Sequence, residues 1–117
     1  MAYTVSELNE FIKRAFEKSP KLQEITVEGE ISNCNLNASG HLYFTLKDHY
    51  SQLSGVMFKG QVTKNNYLPR NGDQVSVIGN ITVYVPHGKY QMMAQSILHA
   101  GKGNLFQQFL LLKEKII

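Results

Sequence analysis

The chain has 117 residues, of which 43% are hydrophobic and 18% charged, with twelve Lys and Arg against nine Asp and Glu. That is one domain's length with enough apolar material for a single core, and a net charge of +3 permits an anionic partner without requiring one. A single cysteine, Cys34, excludes an internal disulfide and argues against a secreted, stapled fold. There is no N-terminal signal pattern and no apolar run near the roughly 18 residues that a membrane helix needs. A soluble, cytoplasmic protein with no membrane contact is therefore expected.

Thr4 and Glu7 have the spacing of a capping box and open the first predicted helix. Val5, Leu8, Phe11, Ile12, Ala15 and Phe16 recur along it as one apolar stripe, which must bury itself in the fold or in a partner. Ser19-Pro20 ends it, because proline has no amide to continue the ladder. Residues 24–33 read as the first strand, with Gly29 as the expected bend. Residues 33–40 are rich in turn formers and read as a polar loop.

Residues 40–48 form the most informative stretch. Leu42, Phe44 and Leu46 share one parity, and His41, Tyr43, Thr45 and Lys47 share the other. Side chains alternate across a strand, so the first set suits a core and the second an outer face. Exposed Tyr and Lys are common, yet an aromatic, a cation and an imidazole in one row can stack a base and neutralise a phosphate. Residues 52–59 are the third strand, with Leu53, Gly55 and Met57 competing against Val56 and Phe58 for the core.

Residues 60–70 break the pattern and read as a short helix or irregular connection. Asn71-Gly72-Asp73 then marks a turn. The fourth strand runs over 74–85, with Val75, Val77, Ile81, Val83 and Val85 facing in and Gly79 as a second bend. Pro86-His87-Gly88 is a hairpin tip leading to the fifth strand at 89–99, where Met92, Ala94 and Leu98 hold the inward parity. Asn104 caps a last apolar helix from Leu105, carrying Phe106, Phe109, Leu110, Leu112 and Ile116. An end at Lys115-Ile116-Ile117 without a cap suggests that this helix leads into further domains.

A mainly β fold follows. Five strands with a helical interruption between the third and fourth match the order of a five-stranded OB-fold barrel, with an N-terminal amphipathic helix and a C-terminal helix leading out. Interior glycines in the long first and fourth strands support closure, since a small barrel needs strands that bend sharply. Another small barrel, or an open five-stranded sheet with a helix on it, is the alternative. The expected division is a helix over 1–22, the barrel over 23–101 and the start of a linker helix over 102–117.

An OB-fold binds over its second and third strands, flanked by the loop after the first strand and the fourth-to-fifth hairpin. That places Tyr43 at the centre, with His41, Lys47 and Lys59 on the same surface. Asn33 and Asn35 lie in one flanking loop, and Tyr84, His87, Lys89 and Tyr90 cluster at the hairpin. The bland reading of these residues is a solvated face. Catalytic signals are poor. Glu28 and Glu30 share an outer face, where solubility or fencing of an anion site explains them. The four histidines lack metal-ligand spacing, and no glycine-rich loop precedes a helix in a phosphate cradle. No catalytic residue, metal or cofactor is expected in this stretch of chain.

Y-T-V-S-E-L-N (3–9), V-E-G-E-I-S-N (27–33), S-G-H-L-Y-F-T-L-K-D (39–48), V-M-F-K-G (56–60) and Y-V-P-H-G-K-Y-Q (84–91) resemble, in order, the N-terminal part of the exodeoxyribonuclease VII large-subunit family. The resemblance implies an OB domain that binds single-stranded DNA for a nuclease cutting from both ends to short oligonucleotides. It also implies a catalytic domain beyond Ile117, whose metal use the chain does not reveal, and several copies of a small helical subunit bound through other regions. The chain departs from the family after the first strand, where Asn33-Cys34-Asn35-Leu36-Asn37 stands in place of basic residues. The second-strand motif is also similar to the anticodon-binding OB domain of class II aminoacyl-tRNA synthetases, in which an aromatic matching Tyr43 stacks on a base. A tRNA- or RNA-binding module is thus one alternative. The other is a protein-interaction scaffold, self-associating through the last helix.

Overall fold

The computed structural model describes residues 1–100. The helix expected from Leu105, and the self-association expected through it, lie outside the described residues. Helix α1 (Val5–Glu17) begins with the anticipated capping box: the Thr4 amide donates to Glu7 Oε1 at 2.8 Å and the Glu7 amide to Thr4 Oγ1 at 3.1 Å. Five strands follow, β1 (Ile25–Leu36), β2 (Leu42–Lys47), β3 (Gln52–Met57), β4 (Gln74–Tyr84) and β5 (Lys89–His99), with the short helix α2 (Lys59–Lys64) between β3 and β4. They close into a barrel in the order β1-β2-β3-β5-β4, and only the β3–β5 contact is parallel among the described pairings. This is the five-stranded OB-fold barrel with an N-terminal helix.

Closure depends on β1 serving two neighbours. Ile25–Glu30 pairs with β4 and Glu30–Leu36 with β2. At the junction the chains approach closely: a Cβ on Gly29 would lie 2.8 Å from the Lys47 carbonyl oxygen. Strand β1 also runs further than the sequence pattern suggests, to Leu36, because a bulge between Ser32 and Asn35 re-registers it on β2. Asn33 takes a positive φ of 50° there, a conformation that asparagine tolerates better than most residues. The expected loop at 33–40 is therefore half strand.

The core holds Ile31, Leu42, Phe44, Leu46, Met57, Val75, Val77, Ile81, Met92 and Ile97, all buried. Register settles the third strand: Leu46 faces Leu53, Phe44 faces Gly55 and Leu42 faces Met57, so those residues point inward. Phe58 falls outside and is 46% exposed. One expected core position is displaced. Ile97 is buried, whereas Leu98 is only half-buried, although the alternation from Met92 and Ala94 points to Leu98. The cause is a bulge: Ile78 pairs with Ser96 but Gly79 pairs with Ala94, which leaves Gln95 unpaired and flips the parity beyond it.

The connection from α2 to β4 straps one end of the barrel. Asn65 acts as a surrogate strand for Ile97, donating from Nδ2 to its carbonyl and accepting its amide at Oδ1, both at 3.0 Å. The Tyr67 hydroxyl donates to Asp73 Oδ2, which also accepts the Arg70 amide at 3.0 Å, while His99 Nε2 lies 3.7 Å from Asp73 Oδ1. The Tyr67 hydrogen bond is the main influence that holds the Asp73 carboxyl below the ordinary carboxylate range. A carboxyl depressed by folding stabilises above its unfolded pKa, near about 3.9, and loses that contribution as pH falls through its lower folded value. Asp73→Asn should therefore unfold at lower urea than the parent at neutral pH, with the gap closing in acid below that range. A pH-independent gap would exclude this linkage.

Candidate nucleic-acid interface

The outward residues of β2 and β3 form three cross-strand rows: Asn35–Tyr43–Val56, Ser32–Thr45–Ser54 and Glu30–Lys47–Gln52. In the first row Val56 is outward yet only 2% exposed, so the surface around Tyr43 is itself packed, while Tyr43 stays 43% exposed. Phe58 continues the outward parity of β3 and is held by its neighbour. The His41 ring meets it edge-on at 5.1 Å, and His41 Nδ1 accepts the Lys59 amide at 3.0 Å. That bond leaves Nε2 as the donor of the neutral ring. Gly40, with a φ of 92°, lets the loop close down on Lys59, whose Cγ would lie 3.0 Å from any Cβ there. Tyr43, Phe58, His41 and Lys59 thus share one end of the face, with Asn33 and Asn35 along its edge.

Two of these placements differ from the sequence expectation. Lys59 begins α2 rather than closing β3, and His41 precedes β2 rather than sitting in its outward row. The His41–Lys59 bond ties the two together, across a sequence separation that a strand pattern does not reveal. Phe58 is the aromatic that sequence reasoning left undecided. The signal for it was its shared parity with Ser54 and Val56, masked because Met57 is equally apolar. Asn33 Nδ2 lies 3.5 Å from Thr45 Oγ1, and Asn35 is exposed. Asn37 is committed to its own loop, accepting the His41 amide at Oδ1 at 2.9 Å.

Lys47 lies apart from this group. Its Nζ is 4.0 Å from Glu30 Oε2, and the cleft beside it is lined by Glu28, Asp48 and His49. Asp48 accepts the Tyr50 and Ser51 amides at 2.8 and 2.9 Å, bonds that hold its carboxyl below the usual range and keep it ionised. This corner of the face is acidic. The β4–β5 hairpin approaches the other side of β3. Lys89 and Tyr90 line a shallow groove with Gln52, Leu53 and Ser54, and the His87 ring packs edge-on to Tyr84 at 5.1 Å. Tyr90 pairs with the inward-facing Val83 and has its ring centre 6.4 Å from that of Phe16, so it stands over the barrel mouth rather than beside Tyr43.

Cys34 is half-buried, and its Sγ lies 3.4 Å from the Pro69 carbonyl oxygen. Burial first, and the Asp73 charge second, push its thiol up, away from the thiolate that a nucleophile needs. No group of three or more His, Cys, Asp or Glu able to hold a metal occurs among the described residues. No helix among them is long and apolar enough to cross a membrane.

The sequence matches the family of OB-fold nucleic acid binding domains over residues 3–98. It is 45% identical over 113 residues to the exodeoxyribonuclease 7 large subunit of Carboxydothermus hydrogenoformans, covering 97% of this chain and 24% of that protein. Its identity to the same subunit of Shewanella sp. strain ANA-3 is 48% over 114 residues, covering 97% and 25%. To that of Clostridium acetobutylicum it is 41%, covering 97% and 29%. The chain thus spans about a quarter of the length of the curated relatives it matches, and these relatives show the resemblance read from its motifs. Among solved structures, the second OB-fold domain of replication protein A from Methanococcus maripaludis superposes with a TM-score of 0.54 at 15% identity, covering 88% of this chain and 98% of that one. That likeness shows the fold.

Proposed function

This chain belongs to the OB-fold nucleic acid binding domain family, and from that premise we propose that it binds single-stranded DNA for an exodeoxyribonuclease VII large subunit. The observation that carries the reading is the pair of half-exposed aromatics, Tyr43 and Phe58, set on the outward side of β2 and β3 beside His41 and Lys59. Flat rings on an open face stack unpaired bases of any sequence, whereas a duplex hides its bases from them. Lys59 at one end and Lys89 at the other supply the phosphate charge, and the acidic corner of Glu28, Glu30 and Asp48 turns the strand away from Lys47. From Gln52 to Phe58 the face is about 20 Å long at the rise of a strand. That suits the short end of the ~4–16 nucleotides bound by one OB-fold.

In this reading the domain positions the strand, and a catalytic domain outside residues 1–117 cuts it to oligonucleotides. The small subunit binds the enzyme elsewhere, and the working compartment is the cytoplasm. Titration of a fluorescent oligo-dT at low salt tests the binding. Two phosphate contacts on a single strand give a slope of log K against log salt of about −1.4. Absence of binding at high micromolar protein, or equal affinity for duplex, would overturn the proposal. End-labelled single strands should remain full length with this chain alone.

A further inference from the structure

Helix α2 begins without a cap of its own. The first amides of a helix have no intrahelical partner, and Ser, Thr, Asp or Asn at the N-cap ordinarily accepts one of them. Phe58 holds that position in α2 and makes no side-chain cap. Its carbonyl accepts the Gln61 and Val62 amides at 2.8 and 2.9 Å, which leaves the Lys59 amide ahead of the ladder. His41, eighteen residues earlier in the chain, takes it: Nδ1 accepts the Lys59 amide at 3.0 Å. The His41 backbone is fixed in turn by Asn37, whose Oδ1 accepts its amide and whose amide donates to its carbonyl, both at 2.9 Å. From that anchor the ring stands edge-on to Phe58, tilted by 73°.

We propose that His41 is a positioning residue for DNA binding, a remote cap that sets the Phe58 ring and the root of the Lys59 side chain on the β2–β3 face. The proposal rests on the nucleic-acid reading above and gives His41 its part in it. One imidazole makes both contacts: Nδ1 holds the Lys59 backbone, and the ring edge holds Phe58. The N-cap position is thereby released to an aromatic. A Ser or Asp at residue 58 would cap α2 locally but offer no flat surface to a base. Holding the ring and the cation in place before the strand arrives lowers the entropy lost on binding, and that is what His41 contributes to affinity. With Nδ1 accepting, the neutral ring carries its proton on Nε2.

Two substitutions separate positioning from direct contact. Asn Oδ1 stands one bond from Cγ, as Nδ1 does, whereas the Gln side chain places its polar atoms near the outer edge of the ring, where Nε2 lies. His41→Gln should weaken oligo-dT binding by about threefold to tenfold, the range for one lost hydrogen bond. His41→Asn should recover most of that loss. The His41→Gln loss should shrink in a Phe58→Ala background, because the ring it positions is gone, and persist in a Tyr43→Ala background. In the nitrogen-15-labelled parent without DNA, NMR should show a scalar coupling between the Lys59 amide and His41 Nδ1, with the ring proton on Nε2. Tighter binding by His41→Gln than by His41→Asn would assign His41 a direct contact through its outer edge and overturn the proposal. So would equal losses in the Phe58→Ala and Tyr43→Ala backgrounds, or a Lys59 amide without the coupling. Absence of oligo-dT binding by the parent is a separate result, which brings down the nucleic-acid reading and this proposal with it.

Discussion

Replacing Gly79 by alanine is expected to be among the most damaging single-methyl changes in this barrel. A Cβ at that position would lie 2.0 Å from the Met93 carbonyl oxygen and 3.1 Å from the Ala94 Cα, both backbone atoms of β5. No side-chain rotamer can relieve such a clash, so the strands must part where the bulge at Gln95 re-registers them. Overpacking costs about 1–3 kcal/mol when side chains can adjust, and more when the backbone must. At about 4–8 °C per kcal/mol for a domain of this size, Tm should fall by more than about 10 °C. Gly60→Ala is the control. It lies in α2 with nothing within 4 Å of its added methyl, and alanine favours helix over glycine by about 1 kcal/mol. Equal losses at the two sites would show that the barrel tolerates a wider β4–β5 junction than this geometry allows.

The same glycine marks the boundary of what the sequence could reveal. Leu42, Phe44 and Leu46 were readable as core, as were Val75, Val77, Ile81 and Val83, because strand alternation is local and each run is unbroken. Thr4 and Glu7 were readable as a cap for the same reason. Ile97 was not, because the parity switch at Gln95 is set by how closely β4 approaches β5, which only the folded barrel determines. The site divides in the same way. Tyr43 was placed by alternation alone. Phe58 needed the register of β3 on β2, and the tie between His41 and Lys59 spans a separation no local pattern reports. Lys47 was readable as outward, but its cross-strand partner Glu30, with Oε2 4.0 Å from its Nζ, was not. The α1 stripe was readable as apolar, but the Phe16 edge that meets the barrel was not.

Binding of single-stranded DNA should depend on Tyr43 and Phe58 to a degree that no other exposed aromatic shares. Stacking on one ring contributes about 1–3 kcal/mol per base, so Tyr43→Ala and Phe58→Ala should each weaken oligo-dT binding by about fivefold to a hundredfold. Phe58, one residue past β3, stands diagonal to Tyr43, whose cross-strand partner is Val56, so the double variant reads the coupling between the two rings. Tyr50→Ala separates stacking at this face from mere aromatic exposure. Tyr50 is 95% exposed, more than either ring, yet it sits in the β2–β3 turn beside Asp48. The acidic corner of Glu28, Glu30 and Asp48 repels phosphate there, so removal of the Tyr50 ring should leave affinity unchanged. Glu30→Gln should act in the opposite direction and strengthen binding, because it releases Lys47 and removes a repelling charge in one step. Fluorescence anisotropy with one labelled oligonucleotide at fixed low salt reads all four variants. If Tyr50→Ala weakened binding as much as Tyr43→Ala, the strand would cross the acidic corner, and the path argued from Phe58 to Lys89 would be wrong.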